Sequence, residues 1–280
     1  MADAGYVFAG SDYNALETRV GAIVTGDKAL RKMLLEGYDS HAMYAAVYFA
    51  DELKERGLPY GPDITVEDSL LIKEEASDLR QKGKAVTFAL QYGGTEHTVA
   101  KSLEVSLEEA KKIVDSYHKL HSGVSDYYTK MTEAATKCGY YTIETGLRLR
   151  APGLQSIDDK IVEKTKRSAT NALIQGFGML TVKAMNKFQE RIEQSGYDSD
   201  VQIINTIHDA VYLRVRDNVN TIKWVNNNLI DCMVEDFADG QDIPLEAELD
   251  VGYSWVDQRT LPNNCSEEEI ENTLNPPSDN

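Results

Sequence analysis

The chain is poor in cysteine, in long apolar runs and in positive charge. Its three cysteines, Cys138, Cys232 and Cys265, are far apart and show no CxxC spacing. That excludes a disulfide framework and a cysteine-based zinc site, and it fits a reducing, cytoplasm-like compartment. No stretch approaches the ~18 consecutive apolar residues of a membrane helix, so no membrane partner is expected. The start, Met1-Ala2-Asp3-Ala4-Gly5, lacks the charged-then-apolar layout of a signal peptide. Internal repeats are also missing. Lys and Arg total 29 against 46 Asp and Glu, a formal net charge of −17. A protein gripping nucleic acid with its whole surface is therefore excluded, because phosphate affinity comes largely from Lys and Arg. A local basic channel is not.

What is present is an ordinary globular mixture, 42% hydrophobic and 27% charged over 280 residues, enough for one large domain or two modest ones. Tyr6-Val7-Phe8-Ala9-Gly10-Ser11 reads as a short buried strand that must pair with something downstream or on another chain. Leu16, Val20, Ile23 and Val24 follow at helical spacing. From about Asp27 to Tyr141 the pattern is mostly helical, and Ser106 with Glu109 forms a capping box. After Gly139 come a short strand over Tyr140 to Ile143, a basic loop from Arg148 to Gly153, and one long helix predicted from about Asp158 to Glu193. The β-rich runs Val201 to Ile207 and Ala210 to Val215, separated by His208-Asp209, predict a hairpin with Asp209 at its tip. A helix over about Asn218 to Asp236 and a strand over Leu245 to Val251 complete the pattern. From about Gln258 the acidic, Pro-containing tail reads as disordered. His97, His118 and His121 read as partly exposed helical residues with structural roles.

Two carboxylates and one helix stand out chemically. Asp12 closes the first strand and Asp209 sits in the hairpin turn, stiff platforms for hard, oxygen-liganded cations such as Mg²⁺. Taken singly, each has a plainer explanation, a helix N-cap for Asp12 and a turn residue for Asp209. The run Arg80-x3-Lys84-x3-Phe88-x3-Tyr92-Gly93 places two cations and two rings in a gently winding stripe, drifting about 40° per step. Like charges four residues apart destabilise a helix, so the stripe suggests a triphosphate beside a stacked base, with Lys84 able to protonate departing pyrophosphate. An amphipathic helix with a solvated basic edge remains the alternative.

Together these residues resemble family A DNA polymerases, the bacterial DNA polymerase I type. Asp12-Tyr13-Asn14-Ala15-Leu16-Glu17-Thr18-Arg19 resembles the family's motif A, Arg80 to Gly93 its motif B, and Ile207-His208-Asp209 its motif C. Asp39-Ser40-His41, Gly146 to Arg150, Arg167-x3-Asn171-x3-Gln175-Gly176 and Val251-Gly252-Tyr253-Ser254-Trp255 resemble further family elements in order, so the likeness spans about Gly5 to Val256. It implies an α/β (α+β) fold: a right-hand palm with an antiparallel sheet plus mostly helical fingers. The implied divisions are palm at 1–24 (motif A), fingers at 25–145 (motif B helix about 78–93), palm at 146–257 (motif C hairpin about 201–216) and a disordered acidic tail at 258–280. It implies DNA-directed DNA synthesis, a nucleotidyl transfer from dNTPs to a primer 3′-hydroxyl using two Mg²⁺ ions, with Mn²⁺ as a substitute. Asp12 and Asp209 would bind both metals with the Tyr13 carbonyl. Arg80, Lys84 and His41 would hold the triphosphate, with Lys84 also catalytic, and Phe88 and Tyr92 would pack on base, sugar and template. Glu17 would exclude a ribose 2′-hydroxyl. Arg148, Arg150, Arg167, Asn171, Gln175 and His208 would contact primer-template DNA.

Single-subunit RNA polymerases share much of this pattern but carry a small residue where this chain has Glu17. Ala210 stands where motif C usually has Glu, which keeps open a catalytically weak remnant acting as a DNA-binding or assembly factor. The sequence starts at motif A, without the thumb or exonuclease segments that precede it in relatives. The expectation is one subunit of a split, phage-type polymerase, with the thumb and any 3′-5′ exonuclease on a second polypeptide; an artificially truncated chain or an early internal start is the competing explanation.

Overall fold

A computed structural model describes residues 1–91 and 94–275, excluding the side chains of residues 169–174. The predicted Tyr92, Gly93, the Asn171 side chain and residues 276–280 of the tail lie outside the described residues.

The strands are β1 (Tyr6–Tyr13), β2 (Tyr140–Thr142), β3 (Arg148–Arg150), β4 (Val201–Ile207), β5 (Ala210–Arg216), β6 (Ala247–Gly252) and β7 (Arg259–Leu261). Helices α1 (Leu16–Thr25), α2 (Lys28–Glu36), α3 (Ser40–Tyr48), α4 (Ala50–Glu55), α5 (Val66–Glu75) and α6 (Ser77–Gln91) follow β1. Then come α7 (Glu96–Leu103), α8 (Leu107–Leu120), α9 (Ser122–Cys138), α10 (Asp159–Gln175), α11 (Met179–Ser195), α12 (Val219–Met233) and α13 (Glu267–Leu274). The mixture of helix and antiparallel sheet is the fold class that the sequence predicts.

The chain forms two compact units, residues 1–16 with 177–280, and residues 17–176. The first is built on a five-stranded antiparallel sheet in the order β4-β5-β1-β6-β7. β1 is its central strand, so the earliest residues find their partners over two hundred positions downstream. Alternation along β1 sends Val7, Ala9, Ser11 and Tyr13 into the core, where Val211, Leu213, Val215, Leu249 and Val251 join them. Helices α11 and α12 pack on this inner face. Tyr6, Phe8, Gly10 and Asp12 take the opposite, open face.

The second unit is helical apart from the β2–β3 ribbon. Its core gathers Met43, Tyr44, Leu53, Ile72, Leu79, Val86 and Val99, among others, from α3 to α8. The bounds differ from those predicted, 16/17 in place of 24/25 and 176/177 in place of 145/146. Two sets of contacts explain the shift. Asp27, just after α1, bonds to His121 between α8 and α9 and to Gly123 in the first turn of α9. The β3 ribbon and the turn at Pro152–Gln155 pack on α10, and α9 packs on β2.

Three further expectations are corrected. The long helix breaks at Gly176–Gly178, where a tighter turn carries two glycines around buried Phe177. The tail predicted as disordered forms β7 and α13 through residue 274: a capping box at Ser266 and Glu269 starts α13, and fully buried Ile270 anchors it. His121 is 1% exposed, because Asp27 supplies the partner that lets an imidazole enter the core.

Candidate active site

The sheet unit brings together the two carboxylates singled out in the sequence. Asp12 occupies the open face near the end of β1, and Asp209 follows His208 in the two-residue turn between β4 and β5. His208 takes φ 55°, the left-handed region that such hairpin turns require. The Thr181 hydroxyl donates to the Asp209 carbonyl at 3.4 Å and ties the turn to α11. The side chains of Asp12 and Asp209 lie close enough for each negative charge to oppose the other, a repulsion that a bound cation would relieve. Burial, then the Asp209 charge, raise the Asp12 pKa above the usual carboxylate range, while the Tyr13 N–H works against them. A smaller push comes from Asp250, which the sequence reading missed. Asp250 lies opposite Gly10 in the β1–β6 register and accepts from the Thr260 hydroxyl at 2.6 Å. Only the pairing register reveals that neighbour.

Ala210, where the resemblance expects a carboxylate, is 5% exposed. No cluster of three or more His, Cys, Asp or Glu residues able to hold a metal is found among the described residues. The donor set nevertheless fits a hard divalent cation, since two crowded carboxylates gain from a positive charge between them. Tyr13 is buried at the end of β1, and burial with the Asp209 charge drives its phenol pKa up.

The helical unit assembles the cationic stripe. α6 carries Arg80, Lys84 and Phe88, and Phe88 is an exposed aromatic at 41%. The Lys84 ammonium lies 5.9 Å from the Phe88 ring centroid, and His41 on α3 lies 6.1 Å from the same ring. Arg80 is held by Asp39, Nε donating to Oδ1 and Nη2 to Oδ2, both at 2.9 Å. Burial alone would raise the Asp39 pKa; hydrogen bonds from Arg80 and from the Ala42 N–H outweigh it and hold Asp39 below its ordinary range. Burial first, then the Arg80 and Lys84 charges, push His41 down, so its neutral form is favoured beside two cations. The buried His41 Nδ1 has no hydrogen-bond partner among the described residues. Glu17 opens α1, and its charge reaches the Tyr128 phenol.

In the same unit Arg148 and Arg150 are exposed on one face of the β2–β3 ribbon, with the Arg148 guanidinium 5.0 Å from the Tyr140 ring centroid. Lys160, Lys164, Arg167 and Gln175 recur at helical spacing along α10 and are exposed. In the sheet unit His208 is exposed.

This fold is that of a polymerase domain. It matches the POL domain of Pol1 from M. smegmatis, solved in complex with DNA primer-template and dNTP, with a TM-score of 0.75 and 26% identity, over 91% of this chain and 41% of that one. The family model for DNA polymerase family A matches residues 63–257, and the chain belongs to that family. Among curated relatives, DNA polymerase I of Mycobacterium tuberculosis strain H37Rv is 28% identical over 249 residues, 88% of this chain and 24% of its own length. Thermostable DNA polymerase I of Thermus aquaticus is 25% identical over 260 residues, 91% of this chain and 28% of its own. The DNA polymerase of Mycobacterium phage D29 is 34% identical over 149 residues, 53% of this chain and 21% of its own. The chain thus spans about a quarter of the length of these relatives. Among the described residues, no helix is long and apolar enough to cross a membrane.

Proposed function

We propose that the chain carries the nucleotidyl-transfer centre of a DNA-directed DNA polymerase, adding deoxynucleotides from dNTPs to a primer 3′-hydroxyl. The observation that carries this reading is the meeting of the Asp12 and Asp209 carboxylates in a chain of family A. Those two side chains, with the Tyr13 carbonyl, would hold divalent metal. Mg²⁺, or Mn²⁺ in its place, supplies activation of the attacking oxygen and neutralisation of the leaving one. Arg80, Lys84 and neutral His41 bind the phosphates, and Lys84 gives a proton to departing pyrophosphate. Phe88 and Tyr92 pack on the nucleotide, and Glu17 excludes a ribose 2′-hydroxyl. Arg148, Arg150, Arg167, Asn171, Gln175 and His208 hold primer and template. With a net charge of −17, much of the sequence-independent grip on duplex comes from protein outside these 280 residues, whether a longer chain or a second polypeptide bearing a thumb.

The test is Mg²⁺-dependent extension of a primed template by the wild-type chain and by Asp12→Asn and Asp209→Asn variants. Incorporation should disappear in both variants, and full activity in either refutes the assignment. A wild-type chain that binds primed DNA yet never extends it, in Mg²⁺ or Mn²⁺, supports the second reading, a DNA-binding remnant. The buried Ala210 at the usual Glu position favours that reading.

A further inference from the structure

The stripe on α6 raises a problem that its own helix cannot solve. Arg80 and Lys84 stand one turn apart with like charge, an arrangement that destabilises a helix and lets a flexible guanidinium swing away from its neighbour. The answer lies on another element. Asp39, the N-cap of α3, meets Arg80 side-on with two hydrogen bonds of 2.9 Å. We propose that Asp39 is a positioning residue for the incoming nucleotide: it locks the Nε–Nη2 edge of Arg80 and leaves the Nη1–Nη2 end of the guanidinium to face the phosphates. This inference rests on the reading of Arg80 as a triphosphate ligand.

Three observations support it. A guanidinium carries five N–H donors in a fixed plane, and Asp39 uses two of them, so three are left for an anion. The Asp39 carboxylate is itself immobilised, because Oδ1 also accepts from the Ala42 N–H at 2.9 Å. Its backbone N–H donates to the hydroxyl of fully buried Ser69 at 3.2 Å, which fixes the loop ahead of α3 to α5. Finally, the pair is largely shielded, with side-chain exposures of 20% for Arg80 and 10% for Asp39, where a bidentate charge pair keeps its direction. Lys73 approaches the same carboxylate only at 4.0 Å. His41 begins the same turn of α3, so one capped helix end presents both Arg80's clamp and a second phosphate-facing group. The order of events follows: the arginine is aimed before nucleotide arrives, and the ordering cost is met in folding and not in binding.

The test uses Asp39→Asn, since Asn caps a helix about as well as Asp while removing the charge and one of the two acceptors. Binding of dATP and of dAMP to the full chain is measured by calorimetry in Mg²⁺, beside Arg80→Gln and the double variant. Asp39→Asn should weaken dATP roughly tenfold and dAMP less than twofold, and the double variant should be no weaker than Arg80→Gln alone. Where the chain extends primers, the loss should appear in KM for dNTP more than in kcat. Unchanged dATP affinity in Asp39→Asn, with Arg80→Gln impaired, overturns the positioning role and leaves the polymerase reading intact. Equal losses for dATP and dAMP also overturn it, as they would mark a general structural defect. Unchanged dATP affinity in Arg80→Gln overturns both the positioning role and the assignment of the stripe.

Discussion

Replacing Asp27 should come close to unfolding the helical unit, although Asp27 touches none of the groups assigned to catalysis. Its carboxylate is 1% exposed and accepts four hydrogen bonds. Two come from the Ala29 and Leu30 N–H groups at 3.1 and 3.0 Å, which cap α2. The others come from His121 Nδ1 at 3.1 Å and the Gly123 N–H at 3.0 Å. Gly123 is needed there, because a Cβ would stand 2.8 Å from the Asp27 Cα. Asp27→Ala removes a cap worth about 1 kcal/mol and strands two buried donors at about 1–3 kcal/mol each. A loss of about 4 kcal/mol is a large share of a typical domain stability of about 5–15 kcal/mol. Asp27→Asn keeps the cap but turns an amide donor toward one of the two incoming N–H groups, for a loss of about 2 kcal/mol. Urea unfolding followed by far-ultraviolet circular dichroism and by hydrogen exchange of α2 and α9 measures both. The pH dependence has a definite sign. Burial works to raise the Asp27 pKa, yet the bonds from His121, Leu30 and Gly123 bring it below the ordinary 3.8. Its contribution is therefore complete above that value and is lost as pH falls through the lower, folded-state pKa. An Asp27→Ala loss under about 1 kcal/mol, or equal losses for Ala and Asn, would refute this account.

Glu17→Ala should increase ribonucleotide incorporation relative to deoxynucleotide in primer extension; an unchanged ratio removes Glu17 from sugar selection. Gly83 lies where α6 crosses α3, and a Cβ there would stand 3.1 Å from the Ala45 N and 3.2 Å from the His41 carbonyl oxygen. Both neighbours are backbone, so Gly83→Val should cost about 2 kcal/mol and raise KM for dNTP by shifting His41 against Lys84. Gly83→Ala should be nearly neutral in urea unfolding, the gain in helix propensity of about 1 kcal/mol offsetting the crowding.

Much of the sheet unit was legible because its signals are local. The hairpin over Val201 to Arg216 announces itself through β-branched runs flanking two polar residues, and α6 through its four-residue spacing. The family likeness then supplied an order for the carboxylates and cations. What the sequence concealed was pairing between distant elements. Nothing in Asp39 or Arg80 states that they meet, since forty-one positions separate them and each has an ordinary local use. Asp250 was hidden for the same reason: its place beside Asp12 depends on the β1–β6 register. The disordered reading of the tail weighed acidic composition above the capping box at Ser266, and one fully buried isoleucine decided the outcome. His121 was read by its helix and not by the aspartate ninety-four positions before it.

Those concealed contacts share a cause with the precision of the site. Side chains alternate along β1, so the residues that build the core also determine where Asp12 points: a one-residue slip would send Val7, Ala9, Ser11 and Tyr13 outward and carry Asp12 inward. β5 and β6 enforce the same register from both sides, Gly10 facing Tyr212 on one and Asp250 on the other. The open face can therefore collect Asp12, Glu248 and Asp250, charges that repel one another, because hydrophobic packing on the inner face holds the strands in place against that repulsion. Asp209 is delivered to this acidic face by a turn whose His208 accepts a left-handed backbone, a conformation that costs of order 1 kcal/mol. Like charges gathered at that expense lower the energy of a bound divalent cation more than dispersed ones would. With Ala210 contributing no charge, Asp250, brought to the same face by the β1–β6 register, adds to the negative field on Asp12.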